Sequence, residues 1–229
     1  MERWLFLFDI DGTLVKTGGV GLRALDRAFL KEYGIENAYK GYGFSGKTDQ
    51  FIVTEGVRAH FQRDPRPDEL QRLLEYYVMY VREEIKDLTN YRILEGVREF
   101  LDDLSQRKNY CLGLATGNLE EAGRVKIDPG GLNRYFPFGG FGSDAIERPM
   151  LVRKAIERGF KHMGETLPND HVWVIGDSTL DIQAAHANQV VCTSIVSGWH
   201  TREELEALGP EHCFDTMADF HRWWLSSGM

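Results

Sequence analysis

Positive charge is in short supply in this chain: 27 lysines and arginines stand against 35 aspartates and glutamates, for a net charge of -8 and a pI near 5.4. A surface of that sign repels a phosphate backbone, so no nucleic-acid partner is expected and a small-molecule partner is favoured. Cysteine is scarcer still. Cys111, Cys192 and Cys213 are an odd number, widely spaced and without a C-x-x-C pair, which excludes a disulfide framework and a thiolate zinc site. Only 7 prolines occur, and hydrophobic residues make up 42% and charged ones 27%, so neither a collagen-like nor a disordered chain is credible. Long apolar runs are also missing. The run Trp4 to Phe8 is cut off by Asp9, far short of the roughly 20 residues that cross a bilayer. No membrane partner, no secretory leader and a cytoplasmic location are therefore the expectations.

What remains is a globular pattern. Trp4-Leu5-Phe6-Leu7-Phe8 does not alternate, which predicts a strand covered on both faces, as in the middle of a parallel sheet. From Val20 to Leu88 the spacing turns helical. Leu22, Leu25 and Phe29 recur at three and four, and Leu70, Leu73, Leu74, Tyr77, Val81 and Ile85 form a stripe behind Pro67-Asp68-Glu69, a favourable first turn. After Leu94 the chain alternates. Strands are expected over 110–115, 138–141, 172–175 and 190–196, with helices near 96–107, 119–126, 149–163, 179–187 and 201–208. Repeated strand-then-helix units imply right-handed crossovers and an α/β fold with a doubly wound parallel sheet. Residues 1–16 and 92–229 are expected to form that core, and residues 17–91 an inserted all-helical domain, too long to be an ordinary loop.

In such a sheet, ligands bind beyond the carboxyl ends of the strands. Three polar clusters fall there: Asp9 and Asp11 after the first strand, Thr116-Gly117-Asn118 after the second, and Asp177 with Asp181 after the strand ending at Ile175. Asp9 and Asp11 are two apart and would share a face, one able to attack while the other moves protons. As a turn, Asp11-Gly12 would explain itself equally well. Asp177 and Asp181 are at home at a helix start, and Thr116 or Asn118 could be an N-cap. Carboxylates brought to one sheet edge repel unless a cation lies between them, and a hard divalent ion such as Mg²⁺ meets that need. Thr116, Gly117 and Asn118 offer a hydroxyl, an open backbone N–H and an amide suited to an anion.

The ordered set Asp9-Ile10-Asp11-Gly12-Thr13-Leu14, Thr116-Gly117-Asn118, Arg148-Pro149 and Gly176-Asp177-x-x-x-Asp181 resembles the haloacid dehalogenase-like hydrolase superfamily, and the match runs over essentially the whole chain. The helical insertion is similar to the cap of its phosphoglycolate phosphatase-like branch. The resemblance implies a Rossmann-like core and a Mg²⁺-dependent phosphatase acting through an aspartyl-phosphate on a small phosphorylated metabolite, as a monomer or homodimer. It implies that Asp9 is nucleophile and metal ligand, and that Asp11 protonates the leaving oxygen, its backbone carbonyl also facing the metal. Thr116, with Gly117 and Asn118, would hold the phosphoryl, Asp177 would bind the metal and Asp181 support it. Arg148 stands where that family usually has lysine; it keeps the charge and adds a fork. Lys154 is the alternative cation. Because Asp11 is present, ester hydrolysis is preferred to carbon-halogen cleavage. Lys47 and Thr48 are the insertion's candidate substrate contacts. A sugar-phosphate mutase, a phosphoacceptor switch and a catalytically silent phosphate-binding protein remain as alternatives.

Two motifs read as decoys. Gly41 to Thr48, GYGFSGKT, satisfies the P-loop pattern, yet the preceding 33–40 is polar rather than a buried strand. Gly19 to Ala24 fits a loose dinucleotide fingerprint and lacks its strand too. The seven histidines show no zinc-binding spacing.

Overall fold

The computed structural model describes residues 2–228. Its first strand, β1 (Trp4–Phe8), is buried at every position. Successive side chains point to opposite faces, and the two faces differ in kind. Trp4, Phe6 and Phe8 enter one core with Phe100, Phe136 and Trp224, while Leu5 and Leu7 enter another with Leu151, Val152 and Ala155. A two-residue strand β2 (Val15–Lys16) then leads into three helices, α1 (Val20–Tyr33), α2 (Asp49–Phe61) and α3 (Pro67–Glu84). The chain returns through β3 (Arg92–Ile93), which pairs antiparallel with β2.

The remainder alternates as expected: α4 (Val97–Ser105), β4 (Tyr110–Thr116), α5 (Glu120–Ile127), β5 (Gly139–Phe141), α6 (Arg148–Met163), β6 (Val172–Gly176), α7 (Thr179–Ala187), β7 (Val191–Ile195) and α8 (Arg202–Glu206). Apart from the β2/β3 pair, the strands, with β8 (His212–Phe214), form a six-stranded sheet in the order β5-β4-β1-β6-β7-β8, every pair parallel. The chain runs outward from β1 through β4 to β5, then crosses back to β6 on the other side. Strand order therefore reverses beside β1, and the crevice for a ligand opens over its carboxyl end.

Four elements go beyond the sequence reading, the short strands β2, β3 and β8 and the helix α9 (Met217–Ser227). α9 begins with a capping box in which Thr216 and Asp219 exchange hydrogen bonds, a signal visible in the sequence as T-x-x-D before an aromatic run. Its Phe220 and Trp224 close the aromatic side of the sheet; the Trp224 ring stands edge-on to Phe6, centroids 5.0 Å apart.

The three inserted helices have their own core, in which Phe29, Tyr39, Val53, Leu73 and Tyr77 are buried together. Leu119 and Ala122 of the sheet domain belong to that same cluster. The insertion is thus seated on the start of α5, directly over the carboxyl end of β4.

Candidate active site

Asp9 leaves β1 with its backbone N–H donated to Ile175 O at 2.9 Å, so the carboxylate starts from the sheet itself. It is buried, and burial pushes its pKa up to about 6, against the pull of Arg148 and a Thr116 hydrogen bond. Asp177, next after β6, is raised well above the ordinary carboxylate value by burial and then by Asp9 and Asp181. One oxygen each from Asp9, Asp177 and Asp181 lies within 4.8 Å of the others, all three residues buried.

The Asp177 carboxylate sits where only glycine leaves room. A Cβ at Gly12 would come 2.4 Å from Asp177 Oδ2, and one at Gly198 1.6 Å from it. Gly12 also holds φ +87°, a left-handed conformation that other residues rarely adopt. Thr13 Oγ1 donates to Asp177 Oδ1 at 2.9 Å, and Ser197 Oγ ties the Gly198 loop to Gly12 O at 2.6 Å.

Arg148, at the first turn of α6, is the buried cation of this cluster. Its Nε and Nη2 grip Asp181 Oδ1 at 2.9 and 2.6 Å, and Nη2 reaches Asp9 Oδ1 at 3.1 Å. Its third arm, Nη1, donates to Gly46 O of the insertion at 2.7 Å. A lysine ammonium is a point charge on a flexible stem, whereas the guanidinium fork spans all three groups at once. Lys154, the alternative, is exposed and pairs with Glu157 at 3.2 Å.

Asp181 has no oxygen to spare. Oδ1 is held by Arg148, and Oδ2 accepts from Ser178 N at 3.1 Å and Ser178 Oγ at 2.6 Å in the capping box of α7. Its place is therefore beside the ligand carboxylates, orienting Arg148. Three buried carboxylates against one guanidinium leave a deficit of positive charge. The oxygen-rich pair Asp9 and Asp177 fits a hard divalent cation such as Mg²⁺.

A second polar group adjoins the first across Thr116. That hydroxyl bonds to Asp9 and accepts from Asn118 Nδ2 at 2.9 Å. Having one hydrogen, it donates to the carboxylate. Asn118 Nδ2 also donates to Asp11 Oδ2 at 2.9 Å. Lys126 of α5, missed by the sequence reading, donates to Asp11 Oδ2 at 2.7 Å and to Asn118 Oδ1 at 2.6 Å. It is 4% exposed; burial would lower its pKa, but Asp11 and Asp49 outweigh that and hold it above the ordinary lysine value. Asp49, also missed, accepts from Leu119 N at 2.8 Å and from Tyr77 Oη at 3.1 Å. Burial pushes Asp49 up to about 6 although Lys126 opposes the shift.

The other expected residues lie at the seam with the insertion. A Cβ on Gly117 would meet Lys47 O at 2.3 Å, and Gly117 O accepts from Asp49 N at 2.9 Å, so this glycine makes room for the insertion's backbone. Thr48 caps α2 through Phe51 N and donates to Ile146 O at 2.9 Å; its hydroxyl is fully engaged in joining the insertion to the sheet domain. Lys47 is exposed, its ammonium 5.7 Å from the Phe51 ring centre. Across the seam His200 lies 3.3 Å from Ser45 Oγ, and its neighbour Trp199 is 89% exposed. The P-loop-like stretch ends in α2 but follows a turn, not a strand.

Comparison with known proteins bears on the family and the fold. A family model described as haloacid dehalogenase-like hydrolase matches residues 6–195. The chain is 24% identical over 223 residues to the probable phosphatase IndB of Dickeya dadantii (strain 3937), covering 94% of this chain and 90% of that one. Among solved structures it is similar to a predicted phosphatase from Clostridium acetobutylicum, at 17% identity and TM-score 0.75 with 99% and 100% of the two chains covered. It is also similar to a predicted phosphoglycolate phosphatase from Haemophilus somnus 129pt, at 19% identity and TM-score 0.74 with 98% and 99% covered.

Proposed function

Because the chain belongs to the haloacid dehalogenase-like hydrolases, we propose that it is a Mg²⁺-dependent phosphatase that cleaves a small phosphate monoester through an aspartyl-phosphate on Asp9. The observation that carries this reading is the buried convergence of Asp9, Asp177 and Asp181, with Asp9 and Asp181 gripped by one guanidinium. Asp9 and Asp177, with the backbone carbonyl of Asp11, would hold the metal, which supplies positive charge to the transferring phosphoryl and lowers the pKa of the nucleophile.

Asp9 attacks phosphorus as the bond to the leaving oxygen breaks, and Asp11 gives that oxygen its proton. Water then attacks the phosphoryl on Asp9, Asp11 takes its proton, and inorganic phosphate leaves with the Asp9 carboxylate restored. Thr116 moves its hydroxyl from Asp9 to the phosphoryl oxygen, and the Asn118 and Gly117 backbone lies alongside. Arg148 keeps Asp9 aimed and adds charge at the phosphoryl. Such reactions gain most of their acceleration from positioning and charge neutralisation, which is what these residues provide.

Residues 17–91 act as a cap that excludes water and chooses the ester. Lys47 and the exposed Trp199 flank the seam through which a substrate would enter, and they are the side chains offered to its leaving group. Thr48 serves the cap by fastening it.

The test is phosphate release from 4-nitrophenyl phosphate and a panel of phosphorylated metabolites. Activity should vanish with EDTA, return with Mg²⁺, and be lost in Asp9→Asn on the order of a millionfold, as for removal of other covalent nucleophiles. Wild-type rates in Asp9→Asn would end the nucleophile assignment.

A further inference from the structure

Helix α5 is capped in part from its own domain, Glu120 N donating to Ser143 Oγ at 3.3 Å, and in part from the insertion. Its N-cap residue is Leu119, which has no side chain to offer the free amides. Asp49, the first residue of α2 in the insertion, supplies the missing acceptor to Leu119 N at 2.8 Å. The carboxylate is fixed by Tyr77 of α3 at 3.1 Å, and the Asp49 amide is fixed by Gly117 O at 2.9 Å. Leu119 and Ala122 pack into the insertion's core beside these bonds, so α5 is held by the insertion through polar and apolar contacts together.

At the far end of the same helix, Lys126 turns inward. Its ammonium donates to Asp11 Oδ2 at 2.7 Å and to Asn118 Oδ1 at 2.6 Å, and the Asn118 amide completes the triangle by donating to Asp11 Oδ2 at 2.9 Å. Burying an ammonium is expensive, and an apolar side chain of similar length would serve packing better. The Asp11 side chain is 42% exposed and would otherwise sample several rotamers. With Oδ2 taken by two donors, Oδ1 is the oxygen turned away from them.

We propose that Lys126 and Asp49 are positioning residues for Asp11: Lys126 fixes the carboxyl group that protonates the leaving oxygen, and Asp49 makes that placement depend on the insertion being seated. The proposal rests on the phosphatase reading, in which Asp11 is the proton donor. Neither residue is a catalytic residue in this account, since each acts through another. A displacement of about 1 Å at a proton donor costs roughly a hundredfold, so a helix shift suffices to switch the step.

The test compares kcat/KM, which reports steps up to departure of the leaving group, for two esters. Phenyl phosphate needs a proton on its departing oxygen; 2,4-dinitrophenyl phosphate does not. Lys126→Met, which keeps most of the stem, should lose roughly a hundredfold on phenyl phosphate and only a fewfold on the dinitrophenyl ester. Asp49→Ala should show the same selectivity at roughly tenfold, and Asp49→Asn, which still offers an acceptor to Leu119, should restore the wild-type ratio. Should Lys126→Met be recovered unfolded, the Asp49 pair carries the comparison.

Equal losses on the two esters, as from a smaller folded fraction, would overturn the proposal. Asp11→Asn separates the two levels. If it too lacks leaving-group selectivity, the proton-donor reading fails and the proposal with it. Selectivity in Asp11→Asn but not in the Lys126 and Asp49 variants overturns the positioning role alone.

Discussion

The two halves of the site solve the same electrostatic problem in opposite ways. Around Asp9, three buried carboxylates cluster beside one buried arginine that pairs with two of them. Around Asp11, a lysine lies between two carboxylates, one of them 42% exposed and the other capping a helix. Burial raises the Asp9 and Asp177 carboxyl pKa values, with like-charged neighbours adding to it, and it raises Asp49 in the second half too; the first half alone is left short of positive charge. The second is closed by its own lysine, which directs that group to holding a side chain in place. A cation-poor cluster calls for a metal; a cluster that supplies its own cation offers a proton donor of fixed geometry.

The sharpest way to break this contrast is to disturb the metal half through the residue that makes room for it. Gly198→Ala puts a methyl group where Asp177 Oδ2 now lies, since a Cβ there would come 1.6 Å from it, without touching Asp11 or Lys126. Activity should fall roughly a hundredfold, as for a misplacement of about 1 Å, and the Mg²⁺ concentration for half-maximal rate should rise by more than about tenfold. Leaving-group selectivity should not change. An unaltered Mg²⁺ requirement would show that Asp177 is not where the metal binds.

A smaller effect is expected where the halves meet the insertion. Arg148→Lys keeps a positive charge beside Asp9 but gives up the bond to Gly46 O. Hydrogen bonds from charged groups contribute about 1.5–3 kcal/mol, so kcat/KM should drop roughly tenfold or somewhat more. Higher activity in Arg148→Lys would mean that arginine is a handicap inherited from a silenced site, which the close grip on Asp9 and Asp181 argues against.

The group around Asp9 was legible in the sequence, and the group around Asp11 only in part. Asp9, Thr116 and Asp177 directly end or follow buried strands, so knowing the strands is enough to place them at one edge. Asp11 and Asn118 share those loops and came with them. Lys126 gave no such signal: on an eight-residue helix with Arg124 beside it, it reads as one more solvated charge. Only the packing of α5 beneath the insertion turns it inward. Asp49 merely follows the nucleotide-binding-like pattern of Gly41 to Thr48, and its partner, Leu119 N, is 70 residues away. Thr48 was legible as a special residue, but its role as a helix cap was hidden by the same motif. The last strand and helix were missed although the capping box at Thr216 announced α9, because the alternation was followed only as far as α8.

A last measurement separates the halves through stability alone. Asp49 has a folded-state pKa of about 6 against an ordinary value of 3.8, raised chiefly by burial. Below pH 3.8 both folded and unfolded chains hold the proton and the group's contribution is complete. As pH rises towards 6 the unfolded chain ionises first, and stability is lost until the folded group ionises as well. Asp9 and Asp177 add dependence of the same sign, so the wild-type curve by itself does not isolate Asp49. The difference between wild type and Asp49→Asn does. In metal-free protein the variant should gain on wild type between about pH 4 and 6 by on the order of 3 kcal/mol, the equivalent of a shift of about two units, and the gap should stay constant above pH 7. Saturating Mg²⁺ should flatten the dependence that Asp9 and Asp177 contribute and leave the Asp49 difference in place. A difference curve that responds to Mg²⁺ would mean that the two carboxylate groups are one coupled system and that the division between them is false.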